Sequence, residues 1–394
     1  MIKVYARGPD LSITGLIRYT RLEVTLRHLQ VSSWSLAGPK TGRFPELLLP
    51  GAGVAVVDDH WTLSGDAEEI GPEEWSADQA DNAYPGTLTV TGGDDLAVVA
   101  DEIAFPVPAA TTFADATGSG ATADAYDSRS GVAETVIKGY VGDNVGAARP
   151  AWRNDSTGIR LVTLAADLTR GGTVSYKARF DNLMDVVRSM SSASGGLGLG
   201  VTVSQDDGAL VFDVYEPTDR STSVVFSRRR RNLRGYSVQL AAPTVTHVVV
   251  GGGDEGTARV FRERKDTAAA TSWKRVIRTF VDQRQTTATA ELDAAGDEEL
   301  AKGRRSGVLQ ATAVDTPQMR FGQHFGLGDL VGVEVEPGVT YTDQVTSVKI
   351  IANEKGVQPA QITIGNPDLD PQTPESEVRA RRLEAEIAAL QRRR

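Results

Sequence analysis

Few residues in this chain are equipped for chemistry. There are four histidines, His28, His60, His247 and His324, and no cysteine, so any nucleophile–base pair has few candidates. The lack of cysteine excludes thiol catalysis and a disulfide framework, and neither G-x-S-x-G nor H-E-x-x-H occurs. Asp58, Asp59 and His60, just before Trp61, form the best cluster of carboxylate and imidazole. Adjacent strand residues point to opposite faces, so Asp59 and His60 do not easily share a metal, and the stretch reads as a turn. Asp368 and Asp370 could touch calcium but lack the further oxygens that such a site needs. His247 lies in a Val-rich run and reads as a packed strand residue, while His28 and His324 have no acidic motif beside them at ligand spacing.

Two further motifs invite a chemical reading. The stretch THVVVGGGDEGTARVFRERKD, residues 246–266, runs from a hydrophobic strand into glycines. A phosphate loop needs those glycines between a strand and a helix, whose free N–H groups hold the anion. Here Val260 and Arg262 alternate with Arg259 and Phe261, which is the two-residue period of a strand, and no Lys-Ser or Lys-Thr closes the loop. A loose hairpin with glycines at positive φ is expected. The second motif, Arg228, Arg229, Arg230 and Arg231 with Arg234 nearby, is the strongest local charge. It reads either as a solvated hairpin end or as a contact with an acidic partner or nucleic acid, a protein being the favoured partner. Aromatic residues flank the run instead of interleaving with it, which gives a stacking platform for single strands little support.

The elements that must position these residues are mainly strands. The chain has 394 residues, 40% hydrophobic and 24% charged, with 40 glycines and 17 prolines, enough length for two or three domains and a composition that favours turn-rich β structure. A net charge of -10 argues against general nucleic-acid binding. Lack of cysteine suits synthesis in a reducing cytosol. No apolar run approaches the roughly 20 residues that span a bilayer. The start, MIKVYARGPD, alternates as a strand and is no signal peptide.

Residues 1–110 read as a first β-barrel or sandwich domain, with Leu22, Val24 and Leu26 alternating with Glu23, Thr25 and Arg27. Further strands are expected at 33–36, 54–57, 61–63, 87–90 and 96–99. The Ala-, Thr-, Gly- and Asp-rich residues 106–130 read as a linker or exposed loop, with 111–130 as the linker proper. An α/β insert follows over 131–234, with helices at 133–141 and 181–190, the second capped by Asp181 and closed at Ser194-Gly195-Gly196. Residues 235–365 return to strands as a second β domain, interrupted by a helix at 290–302. Last, 366–394 combine a proline-broken linker with an amphipathic helix in which Ala380, Leu383, Ile387 and Leu390 follow a/d spacing. Two heptads are too few for a coiled coil alone, so this helix should pair only where other contacts gather subunits, or else bind a partner.

Several segments together resemble the tail hub proteins of actinobacterial siphophages, the minor tail or tail-tip proteins related to baseplate hubs. They are Leu22–Leu26 with Ser33–Leu36, Glu134–Val141, Ser175–Leu183, Leu210–Pro217, Ala242–Gly252, Phe280–Arg284, and Met319–Gly322 with Leu327–Leu330. The resemblance implies a mainly β subunit with two tube-type β-barrels, an α+β insert and a short C-terminal helix, assembled as a homotrimer that matches a threefold hub to a sixfold tail tube. It also implies a distal tail protein, the tail tube, a tape measure protein and further tip or receptor-binding proteins as partners, and a lumen through which DNA passes without specific binding. No catalytic residue, cofactor, metal or membrane insertion is implied. A receptor- or carbohydrate-binding tail protein is the alternative reading, and a cell-wall hydrolase the second.

Overall fold

The computed structural model describes residues 2–40, 42–74, 87–118, 125–147, 149–153, 160–204, 209–239, 243–254, 256–284, 286–303 and 308–365. The two-residue alternation of the first ninety residues becomes β1 (Lys3–Arg7), β2 (Ile13–Leu16), β3 (Arg21–Arg27), β4 (Ser33–Pro39), β5 (Gly53–Val57), β6 (Thr62–Asp66), β7 (Glu69–Glu74) and β8 (Thr87–Gly93). In β3 the residues Leu22, Val24 and Leu26 are buried, and in β4 Trp34 and Leu36, so one face of each strand lies on the core. A short helix, α1 (Ala97–Ala100), follows at a place where a strand is expected from sequence. Asp94 accepts a hydrogen bond from Leu96 N and turns the chain, and Val99 packs into the core of the following segment.

Within residues 106–118 and 125–130, the described part of the expected linker, hydrogen bonds and short elements are present. Thr112 accepts a hydrogen bond from Asp115 N at the start of α2 (Phe113–Ala116), the Trp152 indole donates to Ala110 O, and β9 (Asp127–Val132) has begun before the stretch ends. The helix expected at 133–141 is α3 (Ala133–Val145), which buries Val136, Ile137, Tyr140 and Val141. Then come β10 (Val162–Leu164), β11 (Thr173–Ala178), α4 (Leu183–Ala193), β12 (Gly198–Val203), β13 (Leu210–Tyr215), β14 (Val225–Ser227) and β15 (Leu233–Gln239). The cap of α4 is Asn182, whose side chain accepts from Asp185 N, and not Asp181, which accepts from Arg179 N. α3 and α4 pack with the β10-β13-β12 sheet around Ile137, Leu183, Val187, Met190 and Phe212.

Two compact units emerge, the first of residues 1–235 with 311–367 and the second around 236–310. The second holds β16 (His247–Gly251), β17 (Phe261–Lys265), α5 (Thr267–Ser272), β18 (Arg278–Asp282) and α6 (Thr289–Gly303). β16 lies between antiparallel β17 and parallel β18, and Leu292 of α6 packs on Val248 and Val250. The chain then adds β19 (Val308–Val314), β20 (Leu330–Glu336), β21 (Val339–Asn353), β22 (Gly356–Val357) and β23 (Gln361–Gly365).

The main sheet of the first unit runs β15-β19-β23-β21-β3-β4-β8-β7, with β14, β20 and β22 attached to it. β21 pairs with β3 from Ser347 opposite Arg27 to Asn353 opposite Arg21, so strands from both ends of the chain share this sheet. A separate sheet, β2-β1-β5-β6, reaches the main one where β6 meets β8. There Gly65 has to be glycine, since a Cβ would lie 1.8 Å from Gly93 O.

Candidate functional site

The four arginines form the turn that leads from β14 into β15. Asn232 pins this turn by accepting from Ser227 N through its side chain and from Val314 N through its carbonyl. Arg231 takes φ +58, and Arg228 to Arg231 are all exposed. The Arg230 guanidinium donates to Val225 O. Among the described residues, Arg229, Arg230, Arg231 and Arg234 enter no ion pair. Beside them is a groove of about 400 Å³ lined by Arg234, Thr312, Val314, Gln358, Pro359 and Gln361. The turn thus sets a fixed array of cations at one end of the main sheet, next to β15, which ends the strand order. The helical positions Ala380, Leu383, Ile387 and Leu390, and the pair Asp368 and Asp370, lie outside the described residues.

The other candidates are not gathered into one place. Asp58 N donates to Trp61 O in the turn between β5 and β6, as the sequence suggested, and Asp59 and His60 are exposed on it. His247 is buried, with its ring 3.1 Å from Thr246 Oγ1, and His324 accepts from Arg320 N. Among the described residues no group of three His, Asp or Glu is placed to hold a metal ion. The glycine loop is a hairpin, and its amides are engaged within the chain: Gly252 N donates to Val260 O and Gly253 N to Thr286 O. Gly256 alone of its glycines takes a positive φ; Gly252 and Gly253 are small because Thr286 O and Arg284 O pass within 3.1 Å of where a Cβ would be.

Sequence reasoning missed the buried charge networks, whose partners are far apart along the chain. Arg7 has a fully buried side chain and donates to both Asp95 oxygens at 2.7 Å, to Ser64 and to Asp66. Arg160 also binds Asp66. In the insert, Glu134 accepts from Lys138 at 2.7 Å, from Arg170 N at 2.8 Å and from the Arg170 guanidinium at 2.9 Å, while Lys138 and Arg170 both reach Asp213. Bonds from Arg170, and then from Lys138, hold the Glu134 carboxyl well below the usual glutamate range. Burial pushes Asp94 up to about 6 and His28 down to about 4, the latter against the opposing pull of Asp329. In the two networks opposite charges are paired, although Arg7 Nε is buried without a hydrogen-bond partner among the described residues. No helix among the described residues is long and apolar enough to cross a membrane.

Comparison with known proteins places this architecture. The family described as Siphovirus ReqiPepy6 Gp37-like protein matches residues 2–366. Among solved structures, the chain is similar to the 43 kDa tail protein of prophage MuSo2 from Shewanella oneidensis, at 14% identity and TM-score 0.53, with 93% of this chain and 98% of that one covered. It is equally similar to the tail protein from Neisseria meningitidis MC58, at 14% identity and TM-score 0.53, covering 93% and 97%. Prophage tail protein gp18 from Listeria monocytogenes EGD-e matches at 9% identity and TM-score 0.53, covering 92% and 94%. No curated protein matches the chain.

Proposed function

The chain belongs to the Siphovirus ReqiPepy6 Gp37-like protein family and has a mainly β fold shared with phage tail proteins, and from that premise we propose that it is the structural hub of a siphophage tail tip. Three copies form a ring, each contributing two tube-type barrels, and the resulting six barrels match the threefold hub to the sixfold tail tube. DNA passes through the lumen, and the net charge of -10 keeps the ring from gripping it. The tail tube, a distal tail protein and a tape measure protein are the neighbours on one side, and tip or receptor-binding proteins those on the other. The helix carrying Ala380, Leu383, Ile387 and Leu390 adds a weak coiled-coil contact once the ring has gathered its ends.

The observation that carries this reading is a family match running over residues 2–366, nearly the whole length of the chain. The mass in solution tests it, measured by light scattering after size exclusion for the full chain and for a chain cut after residue 370. A species near three times 42.0 kDa that weakens on truncation is expected. A monomer at high micromolar concentration that also stays off purified tail tubes would overturn the hub.

A further inference from the structure

The second unit carries four large apolar side chains on its outside. Val248, Val250 and Leu292 are fully buried, whereas Phe261, Trp273, Val276 and Phe280 are 54%, 47%, 49% and 51% exposed. The sheet accounts for two of them. α6 covers the face that holds Val248 and Val250, and the register sets Phe280 beside Val249 and Phe261 beside Gly251 on the opposite face. Arg259 lies against both rings, 5.4 Å from the centroid of Phe261 and 5.6 Å from that of Phe280. It donates to Gly251 O, Gly252 O and Asp282, so its guanidinium is fixed and joins the two rings into one platform.

Trp273 and Val276 stand on the loop between α5 and β18. Asp266 caps α5 by accepting from Ala269 N, and the loop closes with Trp273 N donating to Ala269 O, Lys274 N to Thr271 O and Arg275 N to Ala270 O. All four residues from Trp273 to Val276 are exposed, and among the described residues neither Lys274 nor Arg275 enters an ion pair. Val276, Arg278 and Phe280 then alternate along the chain, which sets the loop and the platform on one side. The carboxylates of this face, Glu263 and Asp282, are matched by Lys265 and Arg259. Lys274, Arg275 and Arg278 therefore leave it with an excess of positive charge. On the other face Arg262 and Arg264 are taken up by Asp293 and Asp297 of α6.

We propose that this face of the second unit rests on an anionic lipid surface, with Trp273, Val276, Phe261 and Phe280 at the boundary of the acyl chains and Lys274, Arg275 and Arg278 among the phosphates. Aromatic rings beside cations suit that boundary, where one end of a side chain meets hydrocarbon and the cation meets the headgroups. A polyanion with no apolar layer would use the cations and leave the four apolar side chains in water. The contact lies on the bilayer and does not span it, since the helices of this unit are α5, of 6 residues, and α6, of 15. It goes beyond the hub reading, which enters only through avidity: a ring presents the face three times, so that a contact weak in one copy holds in three.

The full chain is sedimented with vesicles of equal parts phosphatidylglycerol and phosphatidylcholine, and with phosphatidylcholine alone. Binding to the first and not to the second is expected. Lys274→Glu with Arg275→Glu, and separately Trp273→Ser, should each weaken it about tenfold or more, while the same charge change at Arg229 and Arg231 should not. These side chains are exposed, so the variants should melt as the wild type does. Bromine on the acyl chains should quench the fluorescence of the wild type more than that of Trp273→Phe. No sedimentation, sedimentation that the loop variants leave intact, or equal quenching in both chains overturns the proposal. Self-association lost in the loop variants, with no vesicle binding by the wild type, overturns it as well and gives the face to a second copy.

Discussion

Replacing Glu134 by Ala tests whether the insert is held by its buried charges. The Glu134 side chain is 0% exposed and that of Lys138 4%, whereas Asp213, the other carboxylate in reach, is 48% exposed. Removing Glu134 leaves Lys138 and Arg170 to share a half-solvated Asp213, and removing one partner of a buried pair costs about 3–5 kcal/mol. Lys138 keeps its bond to Ala166 O at 2.8 Å, which favours the lower end, about 3 kcal/mol. At roughly 2–4 °C per kcal/mol for a unit of this size, the melting midpoint followed by circular dichroism should fall by about 6–12 °C. The folded carboxyl titrates below its unfolded value, so its contribution is present above roughly pH 4.3 and is lost as pH falls through the folded value. The difference between wild type and E134A should therefore hold across neutral pH and narrow only in strong acid. Adding Lys138→Met to E134A should recover part of the loss, since no lone buried cation then remains. A drop below about 2 °C in E134A would refute the argument, because it would mean that water already solvates the cluster.

Three further outcomes are expected. His28 is buried with neither ring nitrogen bonded among the described residues, and it titrates near 4, below its ordinary value. The unfolded chain therefore binds this proton first, and stability should fall by up to about 1.4 kcal/mol per pH unit as pH drops from roughly 6.5 towards the folded value, a slope that urea titrations should find missing in His28→Phe. Gly65→Ala drives a methyl into the Gly93 carbonyl and should cost about 3 kcal/mol, whereas Gly172→Ala, with nothing within 4 Å, should be almost neutral by the same melts. Leu292→Ala removes a fully buried residue that packs with Val248 and Val250 in the second unit's core and should cost about 2–5 kcal/mol there, seen as proteolysis within 236–310 before the first unit is cut.

How much of this the sequence foretold depends on the range of the interaction. Alternation at Leu22, Val24 and Leu26 and helical spacing at Val186, Val187 and Met190 are local, and those elements are where the pattern put them. The glycine loop was legible for the same reason, since a strand period after Gly256 removes the helix that an anion site needs. Leu96–Val99 misled because four apolar residues fit a strand or a helix equally, and the contact of Val99 with the insert decided between them. The turn at Thr112 and the Trp152 bond to Ala110 O were not legible either, because hydrophobic content does not register hydrogen bonds.

No periodicity relates Arg27 to Ser347 or Arg7 to Asp95, so the sheet that joins both ends of the chain and the networks beneath it could not be read in advance. The arginine run shows the limit most clearly. Its charge was plain in the sequence, and so was the stretch from 44 to 128 that lacks any cation. Their separation along the chain says nothing about whether they neutralise one another. Only the placement of the strands shows which carboxylates of that stretch find cations, since Arg7 and Arg160, both outside it, pair with Asp66, and Arg7 also with Asp95.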